Sequence, residues 1–179
     1  MNNSEFIKVK RDCEGYLIPS GDKIKLKKGS NVKITQSLGG DFTIYINGNL
    51  VKIAGKDADA IGQKVIKNEK SIQNKRFDEK HVWEVLKTCY DPEIPVNIVD
   101  LGLIYDLNFK KIKSDLYFVN VKMTLTAPGC GMGPVIAQDV ETKIKNLNFI
   151  DDVLVEVVWD PIWNQDMMTE EAKLKLGML

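Results

Sequence analysis

The sequence holds a single histidine, His81, and only three cysteines, Cys13, Cys89 and Cys130, set far apart. One imidazole leaves little material for the His-dependent nucleophile–base pairs of many hydrolases. His81 also sits among Glu79, Lys80 and Glu84, which places it on the solvated face of a helix. An odd number of distant cysteines is no disulfide framework, and free thiols suit a reducing compartment. One His and three scattered Cys cannot close an ordinary tetrahedral metal site without carboxylates. No apolar run approaches the roughly 18 residues that span a bilayer, so no membrane role is expected. The opening Met-Asn-Asn-Ser-Glu-Phe lacks the apolar stretch of a signal peptide, and a cytoplasmic location is expected.

Net charge is missing as well, since 25 Lys/Arg balance 25 Asp/Glu. The balance is uneven along the chain. Residues 1–77 carry 15 basic against 8 acidic side chains, +7, and residues 78–179 carry 10 against 17, −7. Such asymmetry argues for two units able to dock or to steer a partner, with two simply solvated surfaces as the alternative. The lysines of the first half are scattered, with few aromatics among them, so nucleic-acid binding is not expected. A chain of 179 residues, 44% hydrophobic and 28% charged, is globular and can bury one core or a small domain beside a medium one.

What is present divides accordingly. Residues 1–62 predict a small β-rich domain: Ile24–Lys27, Val32–Thr35, Phe42–Ile46 and Leu50–Ile53 alternate apolar and polar side chains. Asn47-Gly48-Asn49 between the last two is a tight hairpin signal. Strands this short suggest a small barrel or sandwich. Residues 63–77 are polar and basic and read as a linker. Residues 78–179 predict a second domain in the order helix, strand, strand, helix, strand. This is an α+β fold, a small antiparallel sheet with helices on one face. Asp78 caps a helix whose apolar stripe is Val82, Val85, Leu86 and Cys89, which makes Cys89 a buried, inert thiol. Thr169 caps a short last helix that Gly177 ends, and Trp159 and Trp163 read as core and loop anchors rather than a ligand cage.

Two features can carry chemistry. Met123-Thr-Leu-Thr-Ala-Pro-Gly-Cys-Gly-Met-Gly-Pro134 is a strand end, a Pro/Gly turn and a helix start, with Pro134 suited to the first helical position. Cys130 therefore lies on a tight loop before a helix N-terminus, a setting that favours a thiolate. Asp91-Pro-Glu-Ile-Pro95 is a stiff loop that presents Asp91 and Glu93, with Asp100 following. A thiolate with carboxylates suits iron or an iron–sulfur cluster, and one cysteine leaves such a site to be completed by a second copy, a partner or a small thiol. The alternatives are a structural turn with an incidental cysteine, and carboxylates that merely cap turns.

Three separated motifs then stand in one order. Asp91-Pro-Glu-Ile-Pro-Val-Asn-Ile-Val-Asp-Leu-Gly-Leu-Ile-Tyr105, Met123–Cys130, and Val158-Trp-Asp-Pro161 with Met167-Met168 resemble the PaaD-like, MIP-type iron–sulfur assembly domain over residues 78–179. Leu17–Lys23, Ile34–Gly40, Asn47–Leu50 and Ile53–Gly55 resemble the N-terminal extension of SufT proteins. The resemblance implies a cytoplasmic auxiliary factor, not an enzyme, acting with SUF assembly proteins and iron–sulfur client proteins and handling iron or a cluster transiently. It makes Cys130 the functional thiol and tentative metal ligand, close to Asp91 and Glu93, with Asp100, Thr126, Gly129 and Gly131 in support. Many relatives have Pro after the cysteine, where this chain has the looser Gly131. A homodimer would bring a second sulfur to the site. An adaptor whose Cys130 is structural, and a thiol enzyme lacking a visible base, are the competing readings.

Overall fold

The computed structural model describes residues 6–65 and 76–178, so most of the expected linker, 63–77, lies outside the described residues. The chain divides into two compact units, Met1–Lys67 and Asn68–Leu179.

The first unit is a six-stranded sheet in the order β1-β4-β5-β6-β2-β3. Its strands are β1 (Ile7–Lys8), β2 (Cys13–Ile18), β3 (Lys23–Leu26), β4 (Asn31–Leu38), β5 (Asp41–Ile46) and β6 (Asn49–Ile53). Every pairing in it is antiparallel. The β5–β6 turn is the expected Asn-Gly hairpin, with φ of 48° at Asn47 and 85° at Gly48 and Ile46 paired to Asn49. Alternation sends Val32, Ile44, Val51 and Ile53 into a core, where Ala58, Ala60 and Ile61 join them from a 3₁₀ helix over Gly55–Ile61. Asp57-Ala-Asp-Ala thus forms helical turns pinned by Arg11, whose guanidinium holds Asp57 at 2.9 Å and Asp59 at 2.5 Å. The Arg11 bond keeps the Asp59 carboxyl below its ordinary range.

The second unit contains α1 (Glu79–Leu86), β7 (Ile104–Lys113), β8 (Leu116–Met123), α2 (Gly133–Lys145), β9 (Ile150–Val157) and α3 (Glu170–Lys175). Asp78 caps α1 by accepting from the Lys80 N–H at 2.9 Å, and the Thr169 hydroxyl accepts from Ala172 N–H at 3.2 Å to start α3. The α+β architecture is as the sequence implies, with one difference in the sheet. Its order is β7-β8-β9, and while β7 and β8 form an antiparallel hairpin, β9 runs parallel to β8. Helix α2 is the reason, because it carries the chain back to the starting end before β9 begins. Val153 of β9 pairs with Val119, and Val121, Met123 and the α2 residues Ile136, Val140 and Ile144 complete a fully buried layer. β9 starts at Ile150, and the exposed Asp152 meets Lys145 at 2.7 Å.

An aromatic cluster supports the far end of the sheet. Phe77 stacks on Tyr117, centroids 3.9 Å apart, and meets Phe109 and Phe149 edge-on. His81 was expected on the solvated face, yet it is half-buried with its ring 6.5 Å from Phe149. The first turn of α1 follows Phe77 directly, and that places His81 beside the cluster.

Candidate functional site: the Cys130 loop and its surroundings

The loop is fixed at both ends by backbone hydrogen bonds. Where β8 ends, Val158 N–H donates to the Met123 carbonyl and Thr124 N–H to the Leu103 carbonyl, both at 2.8 Å. Thr124 is buried, and its hydroxyl has no hydrogen-bond partner among the described residues. Ala127, Pro128 and Gly129 then emerge into solvent, with Gly129 in the left-handed region at φ 78° and nothing near its would-be Cβ. Thr126, Cys130 and Gly131 are half-buried. Gly133 N–H donates to the Cys130 carbonyl at 3.0 Å, and fully buried Met132 anchors the turn under α2. Helix α2 starts at Gly133, with Pro134 in its first turn and no side-chain cap.

Burial separates the three thiols. Cys13 and Cys89 are buried, whereas Cys130 is partly open to solvent. Cys89 is buried as expected, but it lies just beyond the end of α1 rather than on its stripe, its sulfur 3.8 Å from the Val85 carbonyl. Burial pushes the Cys13 thiol above its ordinary range, aided by the nearby Asp57 charge. Cys130 is therefore the sulfur that a reagent or partner can reach.

The carboxylates of the 91–100 segment hold the backbone. Asp91 is buried and accepts from Glu93 N–H at 2.8 Å and Ile94 N–H at 3.2 Å, closing an Asx-type turn. A bridge between Tyr90 and Asn97 and the Ile98 N–H to Cys89 carbonyl bond, 2.9 Å, close the base of this loop. Asp100 accepts from the Asn97 amide at 2.6 Å, while the Asn97 side-chain oxygen takes Val99 N–H and Asp100 N–H. Of the three carboxylates, Glu93 is the one that stands exposed. Among the described residues no three His, Cys, Asp or Glu side chains converge to hold a metal ion. Cys130 and the carboxylates thus do not build a closed centre by themselves.

Sequence reasoning missed a cleft of about 360 Å³ beside the loop. Leu125, Thr126, Pro128 and Gly129 form one wall, and Trp159, Ile162 and Trp163 from the chain after β9 form the other. Trp163 is the expected anchor, its indole N–H donating to the Leu101 carbonyl at 2.8 Å. Trp159 is 43% exposed and Ile162 74%, so Trp159 belongs to the surface of the cleft rather than to the core. The signal was present in Trp-Asp-Pro-Ile-Trp, where large apolar side chains leave the strand period at a proline.

The second wall is held by its own contacts. Tyr105 donates its hydroxyl to the Pro161 carbonyl at 2.8 Å, and Thr169 N–H donates to the Asp100 carbonyl at 2.9 Å. Gly102, at φ 72°, lets the Met167 carbonyl approach where any side chain would stand. The Val-Asp-Leu-Gly-Leu stretch thereby seats the segment carrying the tryptophans.

Residues 79–157 match the family model described as iron–sulfur cluster assembly protein. The chain is 46% identical over 101 residues to an Fe–S protein maturation auxiliary factor of Porphyromonas gingivalis, covering 56% of this chain and 92% of that one. It is 43% identical to the Fe–S protein maturation auxiliary factor SufT of Staphylococcus aureus, over 49% of this chain and 96% of that one. The corresponding figures for the auxiliary factor YitW of Bacillus subtilis are 34%, 56% and 94%. About half of this chain thus spans nearly the whole of each relative, and the protein belongs to the SufT-type family of iron–sulfur cluster assembly proteins.

Proposed function

We propose that this protein is an auxiliary factor in iron–sulfur protein maturation, in which Cys130 takes iron or a cluster as transient cargo and passes it between SUF assembly proteins and client proteins. The similarity to Fe–S maturation auxiliary factors over nearly their full length supports the maturation role. One observation carries the part given to Cys130: of the three thiols it alone is open to solvent, on a loop whose ends are pinned by backbone bonds. The lack of a converging ligand set among the described residues fits cargo better than a resident centre. Cys130 supplies one sulfur, and the assembly or client protein supplies the remaining ligands. Asp91, Asp100, Gly129 and Gly131 serve by shaping the loops, Thr126 lines the cleft beside the thiol, and Glu93 is a carboxylate free to face a partner.

The test is anaerobic reconstitution with ferrous iron and sulfide, alone and with an apo client enzyme. Wild type is expected to develop visible charge-transfer absorption and to activate the client, and Cys130→Ala to do neither. The missing ligand set also favours a second reading, a pure adaptor that docks assembly and client proteins without touching iron. In that case Cys130→Ala retains client activation in full.

A further inference from the structure

The cleft beside Cys130 has two properties that together select an occupant. Its walls are apolar: two tryptophans and Ile162 face Leu125 and Pro128, with Thr126 the one polar side chain among the lining residues. Its volume, about 360 Å³, lies at the small end of the range for sites that enclose a bulky apolar group. The chain stretches that supply its walls carry charge of mainly one sign. The chain has no Lys or Arg between Lys122 and Lys143, nor between Lys145 and Lys173, the stretches that supply both walls. The second stretch carries Asp160 and Asp166 on either side of Ile162 and Trp163, then Glu170 and Glu171. Asp160, Glu170 and Glu171 are exposed, and the Asp166 side chain is 98% exposed and forms a loose ion pair with Lys173 at 3.8 Å. Exposed tryptophan and isoleucine on an acidic stretch of chain offer an apolar anchor point whose sequence neighbours favour cations.

We propose that this cleft docks an extended segment of a partner protein that offers one or two large apolar side chains flanked by Lys or Arg. The idea rests on the maturation reading above and names the partner chemistry of the same site. Thr126, Pro128 and Gly129 line the cleft and Gly129 adjoins Cys130, so an occupied cleft sets the partner's surface against the thiol.

A fluorescein-labelled peptide, Gly-Lys-Phe-Leu-Lys-Gly, and its twin Gly-Glu-Phe-Leu-Glu-Gly test this with the full-length protein. By fluorescence anisotropy the basic peptide should bind saturably below 1 mM and at least tenfold more tightly than the acidic twin, the preference shrinking as salt is raised. Trp159→Ala combined with Ile162→Ser should weaken the basic peptide at least tenfold. Asp160→Asn combined with Asp166→Asn should weaken it several-fold and flatten its salt dependence. Both pairs alter exposed side chains, and unchanged circular dichroism confirms their fold. The bound peptide should also slow iodoacetamide alkylation of Cys130 several-fold. Cys130→Ala should bind the peptide as wild type does, so the cleft stands or falls separately from the cargo role. No saturable binding, equal binding of the twins, or binding retained in the Trp159/Ile162 variant would overturn the proposal. So would a wild-type dimer in sedimentation that the same variant abolishes, which assigns the cleft to a second copy.

Discussion

Gly102→Ala is the substitution whose consequence follows most directly from the geometry. Gly102 has φ 72°, and a Cβ there would overlap the Met167 backbone carbonyl. The left-handed conformation costs an L-residue about 1–2 kcal/mol. The obstacle is backbone, so rotating a side chain cannot relieve it, and the 161–169 segment must lift. Lifting breaks the Thr169 N–H to Asp100 carbonyl bond and the Trp163 indole to Leu101 carbonyl bond. Each contributes about 1 kcal/mol net, for a total loss of about 3–4 kcal/mol. For a domain near 100 residues that corresponds to a fall in Tm of roughly 10–20 °C. Urea unfolding followed by circular dichroism measures the loss, and tryptophan emission reports whether the second cleft wall has moved into water. Gly129→Ala is the control: its φ is 78°, but nothing lies near the new methyl, so only about 1–2 kcal/mol of conformational cost is expected and emission should not shift. A Gly102→Ala protein within about 0.5 kcal/mol of wild type and with unchanged emission refutes the reasoning.

Three further outcomes follow from burial and charge. Brief alkylation of the native protein should label Cys130 alone, and labelling in denaturant should reach Cys13 and Cys89 as well; mass spectrometry that finds Cys89 labelled in the folded state contradicts its burial. Asp91→Ala should lose about 1–2 kcal/mol because two N–H groups lose their acceptor, while Glu93→Ala should stay within about 0.5 kcal/mol in the same urea series. The Arg11 bond depresses the Asp59 pKa, so its contribution is full above the unfolded Asp value of about 3.9 and is lost as pH falls through the lowered folded value. Thermal melts should therefore show Arg11→Gln below wild type at pH 7, with the gap closing toward pH 2; a gap independent of pH sinks that assignment.

Much of this molecule was legible because local chemistry and tertiary context agree. Asn47-Gly48 fixes a hairpin whatever surrounds it, since few other residue pairs accept two positive φ angles. Asp78 and Thr169 mark helix starts through their own side chains. The parallel β8–β9 pairing escaped a reading that stopped at the β7–β8 hairpin, because register and direction depend on where α2 returns the chain. The Cys130 loop was legible from Pro and Gly spacing. The work of Asp91 and Asp100 was not, since an Asp-Pro turn and a metal-presenting loop have the same sequence and differ only in what the carboxylate oxygens meet. The cleft was the least visible feature. Trp159 reads as an anchor of the core until the fold leaves it and Ile162 exposed across from the Pro128–Gly129 turn.

The central claim is that Cys130 holds the cargo, and the comparison of Cys130→Ala with Cys89→Ala under anaerobic iron and sulfide tests it most directly. Cys89→Ala should keep the visible charge-transfer band and the transfer of cluster to an apo client enzyme. Cys130→Ala should lose both while its circular dichroism stays that of wild type. A Cys130→Ala protein that reconstitutes and transfers as well as wild type contradicts the account.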